Sequence, residues 1–342
     1  MVTIKRIAEI VGVSPTTVSN VIHGRKNKVS AENYTKVKMA LEKNNYVSNM
    51  SGRTLARHGS RIIGVIVNYS RRSELNVVAD PFYNQIIGYL EEQIRQNGYY
   101  MMLYTSGSVK ESLKLASAWN IEGLVILGAL PDDAEKFIRE KDVPLAFIDT
   151  YVDQALMKSG FINVGLQDFA GSYAITRYLI QIGHRKIAFC VDGHRLLGVD
   201  QQRFLGFKKA MADAGLAISE RDFFGLDYRM PERHEQLKNL AHAQFANYTA
   251  LEFTSDYLAV DALNVLQDNG IHVPDDLSIT GFDHNIFSEQ SRPRITTVEQ
   301  SVRDKALYTI QYLIRGIKQG ASESINHMLD TTVVVQESTR PV

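Results

Sequence analysis

From residue 3 to residue 46 apolar positions recur three or four apart, the spacing of one helix face. Ile4, Ile7, Ala8 and Val11 predict a short helix, with Thr3 placed to cap it and Gly12 to break it. Ser14 can cap a second helix, Pro15 fits its first position, and Gly24 supplies a left-handed stop. Val18, Val21 and Ile22 form the inward stripe of that helix, and Ala8 is small where the two must cross closely. A third helix is expected from Ser30, with Tyr34, Val37, Ala40 and Leu41 as its stripe and Tyr46 packing behind. The three form either a helix-turn-helix or a plain three-helix bundle. After Arg61 the pattern changes to short apolar runs alternating with helical ones. Strands are predicted at 62–68, 99–104, 123–127, 145–149, 186–191, 249–254 and 277–282, and helices at 83–97, 168–182, 200–214, 232–245 and 256–269. The fold class expected is an all-α head on an α/β body of two doubly wound lobes, with a ligand crevice at the strand ends.

Composition narrows the class. Hydrophobic residues are 44% and charged residues 22% of 342, ordinary for a globular chain. No apolar run reaches the length of a membrane span, and Met1 to Glu9 has no signal core, so a cytoplasmic protein without a membrane partner is expected. Cys190 is the single cysteine, which excludes an internal disulfide and a cysteine-built zinc site; within the run 187–191 it reads as a small buried hydrophobe. The net charge of zero is unevenly spread. Residues 1–61 hold eleven lysines and arginines against three glutamates, a net +8 that leaves −8 for the rest. Such a head suits a polyanion, although a basic solvated helix face explains the charge equally well. A nucleophile elbow, a Gly-Lys-Ser/Thr phosphate loop, a His pair on one helix and a strand-linked GxGxxG are all missing. No enzyme, cofactor or metal is therefore expected.

The run Ile4 to Gly24, IKRIAEIVGVSPTTVSNVIHG, closely resembles the head of the LacI/GalR (lactose-repressor) family of transcription regulators. Val29-Ser30, Tyr46, Asn49 and Leu55-Ala56 continue the likeness, and Ile63-Gly64-Val65 opens the family's regulatory core. The resemblance implies a DNA-binding head at 1–48, a hinge helix at 49–61 and an effector-binding, dimerising body at 62–342 of periplasmic-binding-protein-like architecture. It further implies an N-lobe of about 62–165 and 295–326, a C-lobe of about 166–294 and 327–342, and three crossings between them. Ser14 to His23 would then enter the major groove. Pro15, Thr16 and Asn20 fall where the family reads base edges, and Thr3, Thr17, Ser19 and His23 where it contacts phosphates. Without the likeness, Thr16 and Asn20 are an ordinary solvated face. Asn20 replaces the arginine common at its place, so the base preference does not carry over. Asn49 and Leu55 match the hinge, Leu55 as a minor-groove wedge. Ser48 and Gly52 replace a frequent proline and alanine, which leaves the hinge reluctant to fold without DNA.

Sugar recognition needs planar carboxylates, amides and guanidinium groups, with an aromatic face for the ring. By resemblance Arg203 grips the ligand and Asp283 supplies a carboxylate, the alternatives being a surface ion pair and a helix cap. Asp149 ends a strand at the crevice and either binds ligand or caps a turn. Phe82 and Tyr83 open a helix at its mouth and either stack on ligand or fill the core; Asn68, Phe169 and Ser255 sit at matching strand or helix ends. Asp256 reads as the cap of its helix, and Trp119 as a core residue.

Together these features predict a homodimeric repressor on a pseudo-palindromic double-stranded DNA operator, controlled by a small-molecule effector, a carbohydrate or else a nucleoside or purine. The chain ends soon after Ser338-Thr339 without a leucine-heptad tail, which favours a dimer over a tetramer. A solute-binding transport protein and a hydrolase using Asp149 and Asp283 are the rival classes.

Overall fold

The structure is a computed structural model describing residues 2–44, 46, 59–68, 78, 80–151, 160–320 and 324–342. The chain separates into two compact units, Met1–Ser60 and Arg61–Val342.

The first unit holds helices α1 (Ile4–Val11), α2 (Pro15–Ile22) and α3 (Ala31–Lys43). Each start is capped by a side-chain oxygen: Thr3 accepts from Arg6 N, Ser14 from Thr17 N and Ser30 from Asn33 N. Gly12, at φ 71°, ends α1 in the left-handed region that glycine adopts without strain. Ile7, Ala8, Val18, Val21, Val37 and Ala40 form one buried cluster, with Tyr34, Leu41 and Tyr46 packed around it. Ala8 is 3% exposed, so a small residue does stand where α1 meets its neighbours.

The second unit alternates strand and helix as the pattern predicts. Its elements are β1 (Ile62–Asn68), α4 (Pro81–Gln96), β2 (Tyr100–Ser106), α5 (Val109–Ala118), β3 (Gly123–Leu127), α6 (Pro131–Glu140), β4 (Leu145–Ile148), β5 (Ile162–Leu166), α7 (Asp168–Gln181), β6 (Ile187–Asp192) and α8 (Val199–Asp213). There follow β7 (Phe223–Leu226), α9 (Met230–Ala243), β8 (Ala250–Phe253), α10 (Asp256–Asp268), β9 (Ser278–Thr280), α11 (Ile286–Gln290), β10 (Thr297–Glu299), α12 (Val302–Gln319), β11 (Ile325–Leu329) and β12 (Thr332–Val334). One sheet has the order β11-β5-β4-β3-β1-β2 and the other β7-β6-β8-β9, with every pairing parallel. β10 and β12 pair antiparallel. The chain thus passes between the sheets after β5, between β9 and α12, and after β11. Because β11 pairs with β5 through Leu329, a lobe boundary at 326 would cut a strand.

Two side chains depart from expectation. Trp119 is not core: it ends α5 and is 55% exposed. Asp256 does not cap α10; Ser255 does, accepting from Leu258 N, while Asp256 is fully buried. Its oxygens accept instead from Asn285 N at 2.9 Å and the Thr297 hydroxyl at 2.5 Å, tying the loop after β9 to β10. Cys190 is buried in β6 as expected, and burial pushes its thiol up, away from reactivity.

Helices α7 and α8 pack unusually closely. A Cβ on Gly206 would stand 2.2 Å from the Phe169 carbonyl oxygen, so glycine is required there. That approach brings Arg203 of α8 to Asp168 of α7. Among the described residues no helix is long and apolar enough to cross a membrane.

Candidate functional site

In the first unit the helix start is built by local chemistry. Ser14 Oγ accepts from Thr17 N, which spends that amide on the cap, and lies 2.9 Å from Thr17 Oγ1, where either hydroxyl can donate; with Ser14 donating, the Thr17 hydroxyl hydrogen stays available. Pro15 and Thr16 are exposed, Ser19, Asn20 and His23 half-buried, and Thr3 exposed at the start of α1. Among the described residues neither the Asn20 amide nor the Thr16 hydroxyl has a hydrogen-bond partner, so both retain their full donor and acceptor capacity. Arg25, Lys26 and Lys28 follow, all exposed. A capped helix with open polar groups on one face and cations beside it has the chemistry for reading a duplex. Asn49 and Leu55 lie outside the described residues.

In the second unit a cavity of about 160 Å3 opens at the carboxyl ends of strands from both sheets. Of the eight residues expected at a ligand, seven line it: Asn68, Phe82, Tyr83, Asp149, Arg203, Ser255 and Asp283. Phe169 does not. Its ring is 40% exposed and stacks on Tyr173, 6.3 Å away, one turn along α7.

Arg203 is 7% exposed and is no surface ion pair. Its Nε and Nη2 both stand 2.8 Å from one Asp168 oxygen, its Nη1 donates to the Thr254 carbonyl, and its plane lies 3.7 Å from the Phe282 ring. A guanidinium fixed on three sides and stacked on a ring is pre-organised, with two of its five N–H groups unspent. Asp168 accepts from the Tyr151 hydroxyl at 2.6 Å through its other oxygen.

Across the cavity runs a polar chain. Lys305 of α12, fully buried, reaches Asp149 Oδ2 at 2.6 Å and Gln300 Oε1 at 2.5 Å, and Gln300 donates to Asp283 Oδ1 at 2.5 Å. Asp149 follows β4 of the first sheet and Asp283 follows β9 of the second, so Lys305 and Gln300 join the two ends. Asp149 has φ 55° and Asp283 φ 126°, conformations that L-residues rarely hold, and such strain concentrates where a side chain must be aimed. Burial pushes both carboxyls up; Lys305 pulls Asp149 back down, and Arg203 does the same for Asp283. Asp149 Oδ1 is buried without a hydrogen-bond partner.

Residues 3–49 match the profile of bacterial regulatory proteins of the lacI family, and residues 176–339 that of a periplasmic binding protein-like domain. The chain thus joins a LacI-family DNA-binding head to a periplasmic-binding-protein-like domain. It is 27% identical to the HTH-type transcriptional repressor PurR of Vibrio campbellii over 346 residues, covering 99% of both chains. To the HTH-type transcriptional regulator GalR of Escherichia coli it is 27% identical over 347 residues, covering 99% of this chain and 96% of GalR. The Lac repressor dimer bound to operator and the anti-inducer ONPF shares the fold at a TM-score of 0.84 and 23% identity, over 99% of both chains. A transcriptional regulator CelR-cellobiose complex does so at 0.71 and 24%, over 99% of this chain and all of that one. With that head the protein is a DNA-binding transcription regulator, and its relatives are repressors rather than enzymes.

Several residues of this cavity went unmarked in the sequence. Tyr228, Arg233, Tyr257 and Gln300 also line it. Tyr257 directly follows Ser255 and Asp256, both singled out in the sequence, and reading one residue further would have reached it; nothing in the sequence marked Gln300. Arg233 carries no signal at all: it is 2% exposed because Asp261 and the carbonyls of Asp227 and Tyr228 receive its donors.

Proposed function

We propose that this regulator binds a pseudo-palindromic operator as a homodimer and that a small molecule in the cavity alters its affinity for DNA. Pro15, Thr16 and Asn20 read base edges, Thr3, Thr17, Ser19 and His23 engage phosphates, and Asn49 and Leu55 serve the minor groove. DNA as the partner puts its place of action in the cytoplasm. The effector is a carbohydrate: carboxylates and a fixed guanidinium converge on a cavity that Phe82, Tyr83 and Tyr257 also line, a combination suited to vicinal hydroxyls and a ring face. The observation that carries this reading is Arg203, desolvated and clamped with two donors left over. The aromatic lining also favours a second reading, a nucleoside or purine, and the PurR relatives agree with it in name. Effector and operator then alter each other's affinity by the same factor.

Two variants separate the two halves of this mechanism. Arg203→Ala should retain operator binding, followed by fluorescence anisotropy on a selected duplex, while losing the response to effector. Loss of both would remove the assignment of Arg203 to a ligand. Asn20→Ala should relax base choice at one position of each half-site by about 1–3 kcal/mol, read by selection from a random duplex pool, without changing the salt dependence. An unchanged selected sequence would take base reading away from Asn20.

A further inference from the structure

The cavity wall holds a second buried guanidinium whose donors the fold does not use up. Arg233 lies near the start of α9, is 2% exposed and lines the cavity together with Tyr257. Its Nε donates to Asp261 of α10 at 2.6 Å, and its Nη1 donates to the carbonyls of Asp227 and Tyr228 at 3.2 and 3.1 Å. Those carbonyls belong to the loop between β7 and α9, so three of the five N–H groups tie that loop to α10. Among the described residues the two N–H groups on Nη2 meet no acceptor.

Arg203, one helix earlier, is held in the same manner. Each guanidinium gives Nε to a carboxylate on another helix and Nη1 to backbone carbonyl oxygen just after a strand. Each also lies beside an aromatic ring, Phe282 at 3.7 Å for Arg203 and Tyr257 at 5.7 Å for Arg233. Asp261 is anchored in turn, its other oxygen standing 2.7 Å from His234 Nε2. Bracing alone does not account for an arginine at this place. A charged donor shut away from bulk water costs free energy until it finds an acceptor, and the acceptors that the described residues supply stop at Nη1. Because Arg233 borders the cavity, an acceptor can reach Nη2 from there.

We infer that Arg233 is a second gripping residue for the effector: its Nη2 donates to an oxygen or ring nitrogen of the bound molecule, at a point distinct from the one Arg203 holds. This rests on the cavity being the effector site. It makes the effector a molecule with acceptors for two guanidinium groups, a chemistry that the hydroxyls of sugars and the hydroxyls and ring nitrogens of nucleosides both provide. A fixed donor pair selects by what it leaves unmet. A compound without the matching acceptor buries Nη2 with no partner and binds more weakly.

The experiment begins with isothermal titration of the full-length protein with glucose, galactose, ribose, maltose, adenosine and guanosine. At least one should bind with a Kd below about 10 mM. That compound is then compared, in the wild type and in Arg233→Lys, with its derivatives lacking one hydroxyl or one ring nitrogen at a time. Lysine keeps a cation for Asp261 but has no second nitrogen to offer a ligand. The parent compound should bind Arg233→Lys at least about tenfold more weakly. One derivative, lacking the group that Nη2 holds, should bind variant and wild type alike, because ligand group and side chain form a single interaction. A parent affinity within about twofold of the wild-type value overturns the inference and leaves the effector site standing. So does an equal loss for the parent and every derivative, the result of a purely structural role. Silence from every compound in the wild type overturns both. If urea titration shows that Arg233→Lys does not fold, the double variant Arg233→Gln, Asp261→Asn takes its place, since removing both charges together strands neither.

Discussion

Lys305→Met should lower the stability of the Arg61–Val342 unit by about 3–5 kcal/mol, seen as a fall in its urea midpoint at unchanged slope. Methionine nearly matches the length and volume of lysine, so the loss measures charge and hydrogen bonding rather than a cavity. In the native protein the ammonium is fully buried, held by Asp149 and Gln300 and lying 5.2 Å from the Phe82 ring centre. Without it the Asp149 carboxylate keeps no hydrogen-bonded partner, since its other oxygen already has none. It must then be desolvated as an anion or take up a proton. Adding Asp149→Asn to Lys305→Met removes that stranded charge and should recover more than half of the loss, because two residues sharing one ion pair are not additive. A double variant no better than the single one would mean that packing, not the charge pair, holds Lys305 in place. The same substitution should weaken effector binding, since Lys305 is what holds Asp149 and, through Gln300, Asp283 at the cavity.

The parts of this molecule that were legible in the sequence are those whose causes are local. Thr3, Ser14 and Ser30 cap the helices they precede through bonds spanning three residues, and the buried set of the first unit is the stripe read from periodicity. β1 and β3 begin and end where their apolar runs do. What escaped is set by distant partners. α12 carries an apolar stripe of Val302, Ala306, Ile310, Leu313 and Ile314, but the burial of Lys305 within that face is not a local property: it is acceptable only because Asp149, 156 residues earlier, receives it. β5, with Asn163 and Gly165 inside five residues, reads poorly as a strand until Asn326 of β11 accepts a hydrogen bond from the Asn163 amide across the sheet. Arg233 is invisible for the same reason, its burial depending on Asp261, 28 residues on. Errors in the other direction involve Trp119, which local pattern places in a core, and Phe169, which the family resemblance places at a ligand; both stand exposed.

That contrast bears on how ligand and fold are coupled. Arg203, Asp149 and Asp283 each reach the cavity from a different element, and each is braced by a residue that does not line it: Asp168, Lys305 and, behind the loop carrying Asp283, Asp256. Change at the cavity therefore has direct mechanical routes into α7, α12 and β10, the segments that precede, follow or form crossings between the two sheets. A ligand with different affinity for two arrangements of those crossings shifts the population between them, which is all that effector control requires.

Glu252→Gln should make the protein's stability less dependent on pH, with the gap between variant and wild type opening as pH rises. Glu252 is 2% exposed on β8, the strand that leads to Thr254 and Ser255 at the cavity. Burial pushes its carboxyl up from 4.5 to about 7, although hydroxyls of Ser172 and Thr176 at 2.6 Å oppose the shift. The hydrogen bonding independently favours a proton there. Thr176 has a single hydroxyl hydrogen and two acceptors in reach, the Ser172 carbonyl at 2.7 Å and Glu252 Oε2 at 2.6 Å. A protonated Glu252 that donates to Thr176 lets Thr176 donate to Ser172, and every group is satisfied. Because the folded protein holds this proton more tightly than the unfolded chain, the stabilisation is complete below pH 4.5 and is lost as pH rises to about 7. The shift corresponds to about 3 kcal/mol. Glutamine keeps one acceptor and one donor in the same place and has no proton to lose. Urea midpoints of the two proteins should therefore coincide near pH 4.5 and separate in favour of the variant by pH 8. Parallel curves across that range would mean that Glu252 is charged throughout, and that the hydroxyls of Ser172 and Thr176 solvate a buried anion.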